Sequence, residues 1–216
     1  LSGGIDSAVC LQEALHQHQT VEAIYIDYGQ QTSEIERRNA AQQANQAEIP
    51  LHECNYREVF DRFAEGTVRD QAYESENTVE EGHSVGYVPQ RNLHFLTTAA
   101  AIAEHNTPTG EDIVLYHGAQ QNDRDAYPDC RPTFIEAAET AVNRSTDQHH
   151  IHIETPIINR SKPEVLQRGE DLGVDWRLTF SCYNDIDGQP CGECPACLER
   201  SEAFDDAGIT DPVTAD

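Results

Sequence analysis

The chain opens on a loop of small residues, Leu-Ser-Gly-Gly-Ile-Asp-Ser-Ala, which leads directly into an amphipathic helical pattern. The first N–H groups of a helix have no intrahelical partner and lie at the positive end of the helix dipole, so they attract anions. Gly3 and Gly4 let the backbone approach a ligand closely, and Ser2 and Ser7 add hydroxyl donors. The pattern predicts a phosphate-binding loop, although a glycine turn before an ordinary helix is the alternative. The predicted nucleotide-binding residues of this loop are Leu1, Ser2, Gly3, Gly4, Ile5, Asp6, Ser7 and Ala8.

The string Ser-Gly-Gly-x-Asp-Ser resembles the PP-loop of the ATP pyrophosphatases, which typically cleave ATP between the α and β phosphates. A Walker-type loop instead requires Gly-Lys-Ser or Gly-Lys-Thr, and the only lysine of this chain, Lys162, is followed by proline. The sequence therefore disfavours a Walker-type NTPase. Carboxylates are preferred ligands of Mg²⁺, so we expect Asp6 to hold Mg²⁺ against the phosphate oxygens.

Strand and helix patterns alternate after the loop, which predicts an α/β fold with a parallel sheet and a ligand site at the carboxyl ends of its strands. Asp27 ends the first predicted strand and is expected to lie near the nucleotide or its metal. The predicted strands span residues 21–29, 51–54, 113–118 and 151–155, and the predicted helices after the first span residues 33–48, 93–104, 133–144 and 162–172.

Length and pattern together predict one main domain with an appendage. We expect residues 1–175 to form a PP-loop domain of the Rossmann-like, adenine nucleotide alpha hydrolase-like type, and residues 176–216 to form a helical zinc-binding segment packed on it. A PP-loop normally follows a buried strand, so we expect that strand to precede Leu1 in the native protein. Residues 64–86 lack apolar periodicity, which is typical of a lid or a disordered insertion.

Acidic residues outnumber basic ones 39 to 14, for a net charge of −25. The charge is spread along the chain, which indicates adaptation to a salt-rich cytoplasm such as that of a halophilic archaeon. Such a surface repels a polyanion, so no direct contact with nucleic acid is expected. The sequence contains no apolar run of membrane-spanning length and no leader pattern, so we expect a cytoplasmic protein with no membrane partner.

Four of the seven cysteines lie in one late segment, with spacings that let their thiolates converge in a tight turn. A closed set of four thiolates is the usual arrangement of structural Zn²⁺. Disulfides and an iron–sulfur cluster are the alternatives, although a cytosol keeps thiols reduced. The predicted zinc ligands are Cys182, Cys191, Cys194 and Cys197.

With these motifs in hand, the chain resembles the 7-cyano-7-deazaguanine synthase family over nearly its whole length. The resemblance rests on motifs in the same order as in that family, and the loop and the cysteine set together are far more specific than either alone. The motifs are residues 2–7, Asp27-Tyr28-Gly29-Gln30, residues 88–92, Tyr127-Pro128-Asp129-Cys130-Arg131, residues 181–183 and Cys191-Gly192-x-Cys194-x-x-Cys197.

The resemblance implies an ATP-dependent conversion of 7-carboxy-7-deazaguanine and ammonia to a nitrile for archaeosine or queuosine biosynthesis, by a homodimer that uses ATP, Mg²⁺ and Zn²⁺. It implies that Arg91 and Lys162 offset charge developing on the phosphates. It also implies that Asp123, Asp129 and Arg131 hold metal or the edge of the deazaguanine; weak surface ion pairs are the alternative for Arg91, Asp129 and Arg131. The predicted catalytic residues are Asp6, Arg91, Asp123, Asp129, Arg131 and Lys162.

One segment departs from the family pattern. After Asp27-Tyr28-Gly29-Gln30 the family commonly has arginine and histidine, whereas this chain has Gln31 and Thr32. Any role of a basic pair there cannot be carried over to this chain.

Two other functions stay open at the level of sequence. The first is another PP-loop adenylating enzyme, such as a tRNA thiolation enzyme or an amidotransferase-linked synthetase, although an enzyme that thiolates tRNA should present a basic surface. The second is a zinc-containing module that binds a nucleotide without turning it over. Analysis of the reaction products separates catalysis from mere binding.

Overall fold

A computed structural model of the chain describes residues 1–62, 87–184 and 187–213. These residues fall into two compact units: unit 1 comprises Leu1–Pro89 and Lys162–Asp216, and unit 2 comprises Gln90–Ser161. In chain order the elements are α1 (Ile5–Gln17), β1 (Ala23–Asp27), α2 (Ser33–Gln46), β2 (Leu51–Asn55), α3 (Arg57–Phe60), α4 (Arg91–Asn106), β3 (Ile113–Tyr116), α5 (Gln121–Ala126), α6 (Pro132–Asn143), β4 (Ile151–Glu154), α7 (Lys162–Leu172) and α8 (Pro195–Ala207).

Unit 1 contains a parallel strand pair, β1 and β2, whose register runs from Ala23 opposite Leu51 to Asp27 opposite Asn55. Both strands therefore end at the same edge, where the chain turns into α2 and α3. Parallel strands joined by a helix are the βαβ arrangement that the sequence predicts, so the α/β fold class is confirmed.

The segment after the glycine loop forms helix α1 because its apolar side chains recur at helical spacing, and this apolar face is buried. It packs against α7, and Arg168 of α7 donates to both carboxylate oxygens of the buried Glu13 at 2.6 and 3.0 Å. The ring of Trp176 packs directly against Gly169 of α7, which has no room for a Cβ atom. These contacts fix the helix that follows the phosphate loop.

Unit 2 contains a second parallel strand pair, β3 and β4, in register from Ile113 opposite Ile151 to Tyr116 opposite Glu154. Alternate residues of both strands point to one face, where α4 and α6 bury them. The core of this unit consists of Leu96, Ala100, Ile113, Leu115, Ile135, Ala138, Val142, Ile151 and Ile153.

Every predicted strand and helix is present in the structure, with ends that differ by a few residues. Helix α7 begins at Lys162 with Pro163 in its first turn, as predicted. The short helices α3 and α5 were not predicted. The predicted boundary between residues 175 and 176 stays a prediction, and the predicted lid or insertion at 64–86 lies outside the described residues. No helix in the described part of the chain is both long and apolar enough to span a membrane.

Candidate active site

The phosphate loop is ordered by hydroxyl contacts between its two serines. The Ser2 hydroxyl lies 3.1 Å from the Ser7 hydroxyl, and the Ser2 backbone N–H donates to the Ser7 oxygen at 3.2 Å. The Gly4 carbonyl accepts from the Ser7 hydroxyl and from the Ala8 N–H, each at 3.1 Å. The side chains of Ile5 and Ala8 are buried beneath the loop. The loop thus presents the start of α1 as an anion site.

Gly3 lets the loop lie directly against helix α2. Its φ is +76°, in the left-handed region that favours glycine, and a Cβ atom there would lie 2.6 Å from the carbonyl oxygen of Glu36. Both the backbone angle and the close approach to backbone atoms require glycine at this position. A second glycine, Gly110, has a φ of +91° but open space around its Cα.

We expect Gly3→Ala to lower the free energy of unfolding by about 3 kcal/mol, because left-handed φ strain and overpacking against Glu36 add together. The matched control Gly110→Ala carries only the strain of its φ angle and should cost about 1 kcal/mol. Urea unfolding of both variants measures the difference. Equal losses would contradict the close packing of the loop on α2.

Asp6 and Lys162 form an ion pair at the start of α1. Lys162 Nζ lies 2.7 Å from Asp6 Oδ2, and the two side chains are only 13% and 23% exposed. The other oxygen, Asp6 Oδ1, is buried and has no hydrogen-bond partner among the described residues. One carboxylate oxygen is therefore held by the lysine, and the second suits a cation.

Asp27 lies at the edge where β1 ends, and both of its carboxylate oxygens are engaged. Oδ1 accepts from the Gly29 N–H at 2.9 Å, and Oδ2 accepts from Arg57 Nε at 2.7 Å. Arg57 Nη2 also donates to the Ser33 hydroxyl at 2.6 Å. Asp27 thus has an arginine partner that the sequence did not predict, brought to it by the pairing of β1 with β2.

The segment between β1 and α2 forms a polar network around Glu36. The Glu36 carboxylate accepts from Gln30 Nε2 at 2.7 Å and from the Thr32 hydroxyl at 2.6 Å. Gln30 Nε2 also donates to the buried Tyr25 hydroxyl at 3.1 Å. The threonine that departs from the family pattern therefore holds Glu36 on α2, the helix against which the loop packs.

The four cysteines of the late segment converge as free thiols. Their sulfur atoms all lie within 4.8 Å of one another, and three Sγ–Sγ distances are 3.4, 3.9 and 3.9 Å. A tetrahedron with metal–sulfur bonds of about 2.3 Å has sulfur–sulfur distances of about 3.8 Å. The spacing therefore fits a single tetrahedral ion and is compatible with zinc. The four residues are Cys182, Cys191, Cys194 and Cys197.

Backbone N–H groups point at these sulfur atoms. Cys182 Sγ accepts from the Asn184 N–H at 3.2 Å and from the Cys191 N–H at 3.3 Å, and Cys191 Sγ accepts from the Cys194 N–H at 3.4 Å. Burial opposes ionisation of Cys191, but N–H donors from Glu193 and Cys194, together with the neighbouring thiols of Cys182 and Cys194, lower its pKa to about 7. In the same cluster burial raises the pKa of Cys182, and that of Cys197 to about 11. Backbone N–H donors stabilise thiolates, the form in which cysteine binds a metal.

The thiolate cluster is joined to the phosphate loop through the backbone. The Phe180 N–H, two residues before Cys182, donates to the Gly3 carbonyl at 2.9 Å. Arg200 of α8 anchors the same stretch: it pairs with the buried Asp211 at 2.6 Å and donates to the Thr179 hydroxyl at 3.0 Å. The cysteine segment and the loop are thus neighbours within unit 1.

Three of the four predicted residues of unit 2 lie near Cys130. Asn92 donates its N–H to Asp129 Oδ2 at 3.2 Å and its side-chain amide to Cys130 Sγ at 3.2 Å. Burial, with the nearby charges of Asp123 and Asp129, raises the pKa of Cys130 to about 12, and Arg91 opposes this rise. The structure therefore brings Arg91, Asp123 and Asp129 together, whereas the Arg131 side chain is exposed beside α6.

His117 follows β3 and was not among the predicted site residues. Its Nδ1 atom is buried without a hydrogen-bond partner in the described part of the chain. Burial and the charge of Arg91 lower its pKa to about 4, so the imidazole is neutral at pH 7. Sequence analysis did not predict Asn92 and His117 as site residues, because neutral side chains produce no charge pattern. Asn92 lies within one of the motifs on which the resemblance rests.

These features define a PP-loop protein of the nucleotide-utilising α/β class. They are an anion loop lined by hydroxyls, a carboxylate held by a lysine beside the loop, and a cluster of four thiolates. The family model described as "Queuosine biosynthesis protein QueC" matches residues 1–208. The chain belongs to this family.

Relatives of known designation agree with the family match. The 7-cyano-7-deazaguanine synthase of Alcanivorax borkumensis is 36% identical over 99% of this chain and 96% of its own length. That of Ralstonia nicotianae is 37% identical over 99% of this chain and 95% of its own length. Among solved structures, NMN synthetase from Francisella tularensis aligns with 97% of this chain and 71% of its own, at 15% identity and a TM-score of 0.47. The sequence-based assignment to the synthase family is confirmed.

Proposed function

We propose that this chain is an ATP-dependent ligase that converts 7-carboxy-7-deazaguanine and ammonia to 7-cyano-7-deazaguanine. The observation that carries the proposal is a phosphate loop with the Asp6–Lys162 pair, in a chain whose family match runs from residue 1 to residue 208. Synthases of that name cover nearly its full length.

The chemistry requires two activations. ATP first converts a carboxylate oxygen of the substrate to a mixed carboxylic–phosphoric anhydride. Ammonia then attacks the carbonyl carbon, loses one proton and displaces that oxygen with its phosphoryl group, as AMP or phosphate, to give an amide. A second ATP activates the amide oxygen in the same way, and loss of this leaving group together with the two amide protons gives the nitrile. A carboxylate or amide is a poor electrophile until its oxygen becomes a leaving group, so binding and charge stabilisation supply most of the catalysis.

The loop residues bind the polyphosphate in this proposal. The N–H groups at the start of α1 and the hydroxyls of Ser2 and Ser7 contact the phosphate oxygens, and Gly3 and Gly4 keep side chains out of the way. The ammonium of Lys162 offsets negative charge that develops as a phosphate bond breaks. Its pairing with Asp6 keeps the ammonium in place before the nucleotide binds.

Asp6 is the proposed Mg²⁺ ligand, because its second oxygen is buried without a hydrogen-bond partner among the described residues. When bound, Mg²⁺ neutralises phosphate charge and orients the phosphates for in-line displacement. Asp27 is proposed to line the nucleotide site; its carboxylate oxygens are engaged with Gly29 and Arg57, which makes it a poor metal ligand.

Zn²⁺ is the proposed resident of the thiolate cluster. Sulfur atoms within 4.8 Å of one another leave room for a single ion, whereas an iron–sulfur cluster needs space for several iron atoms and bridging sulfides. Four protein ligands leave no open position, so the proposed role is structural.

Recognition of the deazaguanine or its carboxylate is proposed for the residues of unit 2, Arg91, Asp123, Asp129 and Arg131. The enzyme is expected to act in the cytoplasm as a homodimer.

The experiment is a reconstitution in molar KCl with Mg²⁺, ATP, ammonium and 7-carboxy-7-deazaguanine, followed by mass spectrometry of the base and nucleotide products. We expect a nitrile whose yield depends on ATP, and the nucleotide product identifies the phosphate bond that is cut. A zinc-loaded protein that binds ATP but forms neither amide nor nitrile would contradict the proposal and indicate a nucleotide-binding module. ATP cleavage driven by a different acceptor would indicate another adenylating enzyme.

A further inference from the structure

Arg57 lies at the carboxyl edge of the sheet in unit 1 and has no part in the reaction proposed for this chain. It is the first residue of α3, directly after β2, and its side chain is 46% exposed. Because β1 and β2 are parallel and end opposite each other, the segments that follow them share one edge. Ligands of parallel α/β sheets bind at this edge.

The guanidinium of Arg57 is held in place from two sides. Nε donates to Asp27 Oδ2 at 2.7 Å, and Nη2 donates to the Ser33 hydroxyl at 2.6 Å. These bonds use two of the five N–H groups of a guanidinium. A planar donor fixed in this way loses little conformational freedom when it binds an anion, since its orientation is already set.

A short path of contacts joins Arg57 to the phosphate loop. Ser33, its hydrogen-bond partner, is the first residue of α2. Glu36, one turn further along α2, carries the carbonyl oxygen against which Gly3 is packed. Arg57 and the loop therefore contact the same first turn of α2.

Charge gives this position its importance. A salt-rich medium screens the net charge of −25 over a few Å, so binding of a nucleoside triphosphate depends on the cations that lie directly against its phosphates. The segment between β1 and α2 supplies none, since Gln30, Gln31 and Thr32 are neutral. Several other arginines in the described part of unit 1 pair with carboxylates elsewhere: Arg37 with Glu53, Arg168 with Glu13, Arg177 with Asp175 and Arg200 with Asp211.

We propose that Arg57 is a second phosphate-binding cation of the nucleotide site, preset by Asp27 and Ser33, which supplies the positive charge that residues 31 and 32 lack. The proposal rests on the proposed function for the identity of the nucleotide. It makes Arg57 a binding residue and Asp27 the residue that positions it.

The test measures equilibrium binding of ATP and of adenosine to zinc-loaded protein, by competition with a fluorescent ATP analogue, for Arg57→Ala, Arg57→Lys and the control Arg177→Ala. The control removes an exposed arginine from another ion pair of unit 1. We expect Arg57→Ala to weaken ATP binding about tenfold and to leave adenosine binding within about twofold. Arg57→Lys should restore part of the loss because it keeps the charge, and Arg177→Ala should change neither.

A parallel loss of ATP and adenosine binding in Arg57→Ala would indicate that Arg57 only supports the fold of this edge, and would overturn the proposal. Unchanged ATP binding would also overturn it. The assay involves no turnover, so it is independent of the reconstitution. If the wild-type protein makes no nitrile but Arg57→Ala selectively weakens ATP binding, the synthase function is refuted and the phosphate contact of Arg57 is retained.

Discussion

Replacing Asp6 with asparagine is expected to lower the turnover number about 10³-fold, the largest effect on activity of any single substitution in this site. Asparagine keeps the shape of the side chain but removes its charge. The buried Oδ1, which has no partner within the described residues, then ceases to be a carboxylate ligand for Mg²⁺. The Lys162 ammonium, 13% exposed, also loses its anionic partner. Steady-state kinetics at saturating ATP measures the loss.

The matched control for Asp6→Asn is Glu13→Gln, because Glu13 lies on the same helix and also forms an ion pair, with Arg168. Breaking either partly buried pair should cost about 1–3 kcal/mol of unfolding free energy. Only Asp6→Asn should lower turnover, since Glu13 lies about two helical turns along α1 from Asp6, away from the phosphate loop. Similar turnover losses in both variants would mean that the Asp6 effect is one of stability.

The fold was predictable because its signals are local. The glycine loop ahead of an apolar helical stripe, and strands of alternating burial that end at turn residues, each depend on neighbours in sequence. Gly4 does precede α1, and Pro163 does lie in the first turn of α7. The short helices α3 and α5 escaped because a few residues carry too little periodicity to distinguish a helical turn from a loop.

The candidate site was predictable only where its residues share a motif. The four cysteines lie within 16 residues of one another, so their convergence followed from spacing. The bond from Arg57 to Asp27 spans 30 residues and exists because β1 pairs with β2 in one register. The hydrogen bond between Phe180 and Gly3 joins distant backbone atoms and leaves no trace in side-chain identity. Long-range contacts of this kind depend on tertiary packing, which no local pattern specifies.

Cys194→Ser is expected to produce the largest loss of stability. Cys194 is 2% exposed and packs in a core with Ile35 of α2 and Phe180. Loss of one thiolate weakens binding of the metal. The free energy of metal binding contributes directly to folding when a site forms only in the folded state. We expect zinc content to fall well below one ion per chain and the unfolding temperature to fall by about 10 °C or more. Elemental analysis and thermal unfolding measure the two quantities.

The control for this variant is Cys54→Ser, which alters a half-buried cysteine on β2 outside the cluster. It should keep full zinc occupancy and unfold close to the wild-type temperature. Zinc content unchanged in Cys194→Ser would contradict a four-thiolate site. An absorption band in the visible region of the wild-type protein would indicate an iron–sulfur cluster instead of zinc.

Zinc loss should reach the nucleotide site as well, because the thiolate cluster and the phosphate loop are joined through one hydrogen bond. The Phe180 N–H, two residues from Cys182, holds the Gly3 carbonyl at 2.9 Å, and Gly3 in turn lies against α2. If zinc fixes this stretch, chelation at a temperature where the protein stays folded should raise the KM for ATP severalfold, and added zinc should restore it. An unchanged KM after complete zinc removal would mean that packing of Phe180 and Arg200 alone keeps the loop in place.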